Sequence, residues 1–299
     1  MKGHPKITIA IPVYNGEKFL KKCVESILKQ TRVDFELIIS DNASTDGTAA
    51  ICKEYEKKDE RIKCIFQKKN MGAINNFKIL LENAIGDYFL FVAVDNYLSP
   101  TFLEKCAETL DSNPNTVGCI SKIVIDEQYT DPFKKEKKIL KKLGLAFRPY
   151  DTIPILGRYE ERIKKMLKEW QWEMFYSLYR TTELKKSTIW EFWTGFDAAW
   201  VLNILKYGEI RVVNEPLYHS YPSGENTKGL LYIGKTYNNS TLAKIFPFYT
   251  LTKWCLNNIG KDLFLKNIHH FFRLNMDAVF LQFVSIYQNR KNKIKNEYT

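Results

Sequence analysis

The chain has 299 residues, 45% of them hydrophobic and 26% charged, a balance that excludes a disordered or low-complexity protein and suggests one large domain or two small ones. Lysine and arginine number 45 against 34 aspartates and glutamates, a formal net charge of +11. A basic surface favours an anionic partner, whether nucleic acid, phosphorylated substrate or acidic membrane face, and composition does not choose among them.

Strand and helix patterns alternate through the first hundred residues. Ile7 to Val13 is apolar and β-rich and reads as a buried strand. From Glu17, the residues Phe19, Leu20, Cys23, Val24, Ile27 and Leu28 recur at three- and four-residue spacing, which predicts a helix with one apolar face. Phe35 to Ile39 is a second strand, closed by the polar run Ser40 to Thr48, and a second helix follows to about Glu56. Ile62 to Phe66 is a third strand, Gly72 to Asn83 a helix, and Tyr88 to Val94 a fourth strand ending at Asp95-Asn96. Such alternation calls for a mostly parallel sheet flanked by helices, because each parallel connection needs a crossover. Ligands of such sheets bind beyond the carboxyl ends of the strands. Those ends are Tyr14-Asn15, Asp41-Asn42, the loop around Asn70, and Asp95.

The middle is less regular. Phe133 to Leu145 holds six lysines against Glu136 alone and reads as a solvated helix or loop. A helical stretch beyond Arg158 leads to Trp170-Gln171-Trp172 and Phe175 to Arg180, and a strand-like segment, Ile210 to Asn214, precedes Pro216-Leu217-Tyr218-His219. Leu242 to Tyr287 is rich in Phe, Leu, Ile and Trp at helical spacing with Lys and Arg interleaved. The six cysteines are scattered with no Cys-x-x-Cys pair, which fits small buried hydrophobes in a reducing cytoplasm rather than a zinc site. No apolar run has the length of a signal peptide or spanning helix, so a cytoplasmic protein is expected.

The chemistry-bearing residues lie at the strand ends. Asp41 can accept the imide N–H of a uracil, with Tyr14 packing near the base. Asp95 ends an apolar strand, where a carboxylate is costly unless paired or metal-bound, and hard oxygen ligands suit Mg²⁺ or Mn²⁺ bridging a diphosphate. The alternatives are a plain turn at Asp95-Asn96 and helix capping by Asp41 and Asp46.

Five motifs in order carry a resemblance. Ile9-Ala10-Ile11-Pro12-Val13-Tyr14-Asn15, Ser40-Asp41-Asn42-Ala43-Ser44-Thr45-Asp46-Gly47-Thr48, Asn70-Met71-Gly72, Asn83-Ala84-Ile85-Gly86-Asp87-Tyr88 and Val94-Asp95-Asn96-Tyr97-Leu98-Ser99-Pro100 resemble the family-2 glycosyltransferases of GT-A fold. The match is close over roughly the first 110 residues and weaker through Tyr176–Arg180, Gly195-Phe196-Asp197 and Asn214 to Tyr218. It implies a GT-A-like, Rossmann-type α/β catalytic domain over residues 1–222, with a nucleotide-binding half to about 110 and an acceptor half to 222. A helical C-terminal extension over 223–299 would follow. It also implies an inverting hexosyl or N-acetylhexosaminyl transferase using a nucleotide-diphosphate sugar, a UDP-sugar by expectation, and Mn²⁺ or Mg²⁺. The acceptor would be a glycan or polyprenyl-diphosphate-linked sugar of a surface polysaccharide such as lipopolysaccharide.

Carried over residue by residue, the resemblance assigns the nucleotide to Pro12, Tyr14, Asn15, Glu17, Asp41, Asn42, Asn70, Gly72, Val94 and Asp95. The family's metal motif, Asp-x-Asp-Asp before a proline, falls on Ala93-Val94-Asp95-Asn96, so the first and last acids are missing and the metal would be held by Asp95, Asn96 and His219. Tyr221 is the alternative to His219 for the family's late histidine, and a structural role for His219 stays open. The base falls on Asp197, whose other reading is the N-cap of a helix over Ala198 to Leu205. Trp193 and Gly195 would bind the acceptor; Trp170, Trp172, Trp190 and Trp193 read equally as core. The aromatic, basic C-terminal helices either pack on the catalytic domain or lie on the anionic inner leaflet of the cell membrane. Competing readings are a nucleotide-sugar-binding protein that has lost catalysis and a nucleic-acid-binding protein. The second lacks any recognisable motif, and no nucleic-acid partner is expected.

Overall fold

Residues 5–125, 152–221 and 240–297 are described by a computed structural model. The lysine run Phe133–Leu145 and the expected boundary at 222 lie outside the described residues. The chain runs β1 (Ile7–Val13), α1 (Glu17–Leu28), β2 (Phe35–Asp41), α2 (Thr48–Lys58), β3 (Ile62–Phe66), α3 (Ala73–Glu82), β4 (Tyr88–Phe91), β5 (Tyr97–Leu98), α4 (Phe102–Asp111) and β6 (Thr116–Ile125). After the undescribed stretch come α5 (Tyr159–Glu169), a 3₁₀ turn (Trp172–Tyr176), β7 (Leu178–Arg180), α6 (Thr181–Lys186), α7 (Phe196–Ile204) and β8 (Glu209–Ser220). Four further helices are α8 (Thr241–Ile245), α9 (Tyr249–Asn258), α10 (Lys261–Lys266) and α11 (Ile268–Glu297).

The sheet order is β3-β2-β1-β4-β7-β6-β8-β5. The pairings β3–β2, β2–β1, β1–β4 and β6–β8 are parallel, and β4–β7, β7–β6 and β8–β5 antiparallel, so the expected mostly parallel α/β sheet is present. Strands β1 to β3 step in one direction and β4 returns to the far side of β1. Right-handed crossovers therefore put α1 and α2 on one face and α3 on the other. Helix α1 buries Leu20, Cys23, Val24 and Ile27, the i, i+3, i+4, i+7 stripe its sequence contains; each such side chain contributes roughly 1.5–3 kcal/mol. The six cysteines are free, five of them buried and Cys64 half-buried.

Strand β4 stops at Phe91, three residues short of the expected Val94. In the β1–β4 register, Ala10 sits opposite Phe91 and its carbonyl accepts the Val92 N–H at 2.9 Å. The next rung on that side needs an N–H from Pro12, which has none, and the pairing ends there. Strand β8 continues six residues past the expected Asn214. Its register against β6 shifts around Ser121–Ile123, with Lys122 opposite Pro216 and Ile123 opposite Tyr218; the bulge accommodates the proline that interrupts the apolar pattern. Strands β5 and β7, two and three residues long, are too short to show a period, whereas β6 is a near-continuous apolar run overlooked at the sequence level.

The described residues form two compact units. Residues to 125, 152–192 and 200–221 carry the sheet; residues 193–199 group with 240–297 and the C-terminal helices.

Candidate active site

Two loops at the carboxyl ends of β1 and β2 are bonded to each other residue by residue. Asn15 Oδ1 accepts the Thr45 N–H at 2.8 Å, and the Asn15 N–H donates to Ser44 Oγ at 2.8 Å. The Gly16 N–H donates to Thr48 Oγ1 at 2.9 Å. Glu17 donates its N–H to Asp46 Oδ2 at 3.1 Å and accepts the Gly47 N–H on Oε2 at 2.9 Å. Although the slight desolvation of this exposed side chain pulls the other way, hydrogen bonds from Thr48 and the Glu17 N–H hold the Asp46 carboxyl below the usual range. Asn15 and Ala43 are left-handed, with φ of 51° and 61°, so each loop turns sharply where it meets the other. Asn15 and Glu17, expected at the nucleotide, thus spend these polar atoms on the facing loop. Thr45, Asp46 and Thr48 are the partners that sequence reasoning missed; their signal was the density of short hydroxyl and carboxyl side chains after Asp41.

The second layer starts at Asp41, which is buried at the end of β2 and accepts the Ser44 N–H at 2.9 Å. Neither Asp41 nor Asp46 is the N-cap of α2; that position is Gly47, although Asp46 still takes the Thr48 N–H at 3.1 Å. The Asn42 amide donates to Asn70 Oδ1 at 3.0 Å and accepts the Met71 N–H at 2.8 Å, and Asn70 Oδ1 also accepts the Gly72 N–H at 2.9 Å. Asn42, Asn70 and Gly72 therefore pin the β3–α3 loop to the end of β2. Tyr14 is left exposed beside them and Pro12 is half-buried.

On the other side of β1, Ala93 to Asn96 form a tight turn, the Asn96 N–H donating to the Ala93 carbonyl at 2.9 Å. Val94 packs against Gly16, which has no room for a β-carbon: one would stand 2.5 Å from Val13 Cγ2 and 3.0 Å from Val94 Cγ2. Asp95 is half-buried. Beneath it, burial first and the Asp95 charge second push the Cys23 thiol far up. Asn96 is buried; its amide N–H donates to the Tyr218 hydroxyl at 2.8 Å and its carbonyl accepts the Tyr221 N–H at 3.3 Å. It ties the turn to β8.

His219 sits on β8 opposite Tyr97 and stacks on it, ring centroids 4.5 Å apart and planes 3° apart, while Nε2 is 2.9 Å from Ser99 Oγ. The Lys22 ammonium caps the other side of Tyr97 at 3.7 Å from its centroid. Tyr221 packs on Phe19 at 5.4 Å. The expected metal ligands Asn96 and His219 thus have protein partners at these atoms. Among the described residues, no three His, Cys, Asp or Glu side chains group as a metal site.

In the second unit, Gly195 has φ of +89°, and a β-carbon there would lie 3.1 Å from Leu251 Cδ2 and 3.3 Å from Phe248 Cδ1. Helix α7 begins one residue later at Phe196, so Asp197 lies in its first turn and is not the N-cap; its Oδ1 accepts the Ala198 N–H at 2.9 Å. Burial pushes the Asp197 carboxyl up to about 6, outweighing the backbone hydrogen bonds that favour its ionised form. Trp193, expected at the acceptor, is 6% exposed. In the sheet-bearing unit Trp190 packs edge-on against the buried Trp200 at 5.5 Å, and half-buried Trp170 and Trp172 stack at 5.4 Å.

Residues 8–170 match the model of Glycosyl transferase family 2. An "Uncharacterized glycosyltransferase" of Haemophilus influenzae is 31% identical over 130 residues, 43% of this chain and 40% of its own length. "Glycosyltransferase GlyA" of Streptococcus pneumoniae is 37% identical over 99 residues, 33% of this chain and 14% of its own. The chain therefore spans well under half the length of these relatives. Among solved structures, S. aureus TarS 1-349 in complex with UDP-GlcNAc superposes with a TM-score of 0.57 at 17% identity, covering 90% of this chain and 81% of that one. Mannosyltransferase PcManGT from Pyrobaculum calidifontis, in complex with GDP-Man and Mn²⁺, gives 0.52 at 12% identity, covering 93% and 70%. These likenesses establish the GT-A fold, and with the family match over more than half of its length, the chain belongs to glycosyl transferase family 2.

Proposed function

We propose that this protein transfers a sugar, with inversion, from a nucleotide-diphosphate donor to a hydroxyl of a glycan or lipid-linked acceptor. The observation that carries the reading is that Tyr14 and Asp41 lie at the carboxyl ends of β1 and β2 and Asp95 in the turn that follows β4, where the strand order reverses about β1. Crevices at such reversals are where ligands of α/β sheets bind. The UDP and UDP-GlcNAc complexes of TarS favour a UDP-sugar. Tyr14 flanks the base, Asp41 accepts its imide N–H, and the braces from Asn15, Glu17, Asn42 and Asn70 hold the three loops ready, so little ordering entropy opposes donor binding.

The donor set suits a divalent cation that takes most of its ligands from a diphosphate and water. Asp95 is one half-buried carboxylate next to an amide already engaged with Tyr218 and Tyr221, and Mg²⁺ or Mn²⁺ in nucleotide sites is commonly held by one or two carboxylates. When bound, the cation supplies positive charge to the leaving diphosphate. Asp197 takes the proton from the acceptor hydroxyl as that oxygen attacks the anomeric carbon and the bond to the diphosphate oxygen breaks. A carboxyl raised to about 6 is a better base than an ordinary aspartate and still ionised at neutral pH. No covalent nucleophile is needed. Six free cysteines fit a reducing cytoplasm.

The engagement of Asn96 and the absent acids around Asp95 favour a second reading, a nucleotide-sugar-binding protein with little turnover. Melting temperatures with UDP, GDP and a panel of nucleotide sugars, with and without Mn²⁺, test donor binding, because a ligand of the native state raises Tm by mass action. The proposal requires a Mn²⁺-dependent rise with UDP or a UDP-sugar, followed by release of UDP when acceptor is added. A rise without turnover on any acceptor supports the second reading, and no rise with any nucleotide overturns both.

A further inference from the structure

Helix α11 has two apolar faces, and among the described residues only one of them is covered. The covered face holds Phe271, 1% exposed and stacked on Phe264 at 4.8 Å, together with Ala278 and Gln282, whose amide reaches the Lys244 carbonyl at 3.5 Å. The other face carries Ile268, Phe272, Met276, Phe283, Ile286 and Tyr287, all exposed, with Phe272 at 69%, Phe283 at 65% and Tyr287 at 68%. At 100° per residue these side chains fall in one band about 100° wide, and Val279, half-buried, fills the gap within it. From Ile268 to Tyr287 the band is about 28 Å long. Isolated exposed apolar residues need no explanation, but an aromatic stripe of this length marks a contact surface.

Charge selects the occupant. Residues 240–299 contain nine Lys and Arg against three Asp and Glu. One of those acids, Asp277, is buried and faces Arg273 across 3.8 Å. A second copy of the chain would bring like charge against like charge. An anionic surface is complementary to that nine-to-three excess, and an aromatic stripe on one face of a helix within a basic segment is what helices lying in the headgroup layer present. No helix among the described residues is long and apolar enough to cross a membrane, and the face of α11 that carries Phe271, Ala278 and Gln282 is committed to protein. We infer that the exposed stripe of α11 seats this unit on an anionic phospholipid bilayer, the helix lying along the surface with Phe272, Met276 and Phe283 in the acyl boundary. The inference stands on the exposed stripe of the helix and the charge of residues 240–299, and is independent of the transfer reaction.

The test is co-sedimentation of the full chain with phosphatidylglycerol–phosphatidylcholine vesicles and with phosphatidylcholine vesicles, at low and high salt. Binding is expected to anionic vesicles, weakened by salt and by neutral lipid, and reduced at least about tenfold in F272S/F283S, since each lost phenylalanine removes an apolar contact of that size or more. Both side chains are exposed, so the double variant should keep the wild-type Tm. Should it melt early, Phe283→Trp read by quenching from brominated lipid replaces it, with quenching above the wild-type level expected on anionic vesicles. No binding to anionic vesicles, binding that the double variant retains in full, no quenching of Phe283→Trp beyond the wild-type level, or a stable dimer that F272S/F283S dissociates would each overturn the inference.

Discussion

The side-chain carbonyl of Asn15 accepts the backbone N–H of Thr45 at 2.8 Å, joining the β1–α1 and β2–α2 loops through a residue that is itself left-handed. A non-glycine residue at φ of 51° costs on the order of 1 kcal/mol, which the brace offsets. Asn15→Ala keeps the strain and loses the brace, so it should destabilise by about 1–2 kcal/mol in urea unfolding and weaken UDP binding. Asn15→Gly relieves the strain and should lose less stability while weakening UDP binding similarly. Equal stability loss in both variants would show that the brace alone matters.

Asp95 and Asn96 are neighbours with different work, and their variants should separate. Asp95→Asn should leave Tm near wild type and remove the Mn²⁺-dependent part of UDP affinity in calorimetric titration. Asn96→Ala removes the donor to the buried Tyr218 hydroxyl and the acceptor of the Tyr221 N–H. It should cost about 1–3 kcal/mol of stability whether or not metal is present.

Asp197 gives a pH signature. Its folded carboxyl titrates near 6, above its unfolded value, so the folded state holds this proton more tightly. The group's contribution to stability is therefore greatest in acid and falls as pH rises through about 6. Asp197→Asn should match or exceed the wild-type Tm at pH 7.5, with the difference vanishing in acid. Turnover should fall by about 10²–10⁴-fold, and the rise in rate centred near pH 6 should disappear. A lower Tm at pH 7.5 would favour a purely structural role.

Gly195→Ala places a β-carbon 3.1 Å from Leu251 Cδ2 on a backbone at φ of +89°. Strain and overpacking together should cost roughly 1–3 kcal/mol in thermal or urea unfolding. Because the same turn delivers Asp197, kcat should drop more than donor affinity.

Much of the sheet was legible because its period is local. Ile7–Val13 and the 20, 23, 24, 27 stripe of α1 carry their burial pattern in consecutive residues, and the motif residues at 14–15, 41–42, 70–72 and 95 fall at the strand ends where such sheets bind ligands. The early end of β4 was in principle legible too, but only once Pro12 is known to lie opposite Ala93, a register set by two strands at once.

The alternation of strands and helices over the first hundred residues, the aspartates at the strand ends and the family follow from the sequence, since apolar periodicity and short motifs act over a few residues. What each polar side chain does was decided by tertiary structure. Asn15, Glu17, Asn42 and Asn96 look like ligand-binding residues in a linear reading, yet their partners stand about 30, 30, 28 and 122 positions away. For the buried Asn42 and Asn96 the fold supplies these partners because an unpaired buried polar atom is costly, whereas the exposed Asn15 and Glu17 bond the facing loop at the surface. Helix α11 is a further case: its sequence is apolar on two sides, and only packing against Phe264 and Lys244 determines which side is covered and which is exposed among the described residues.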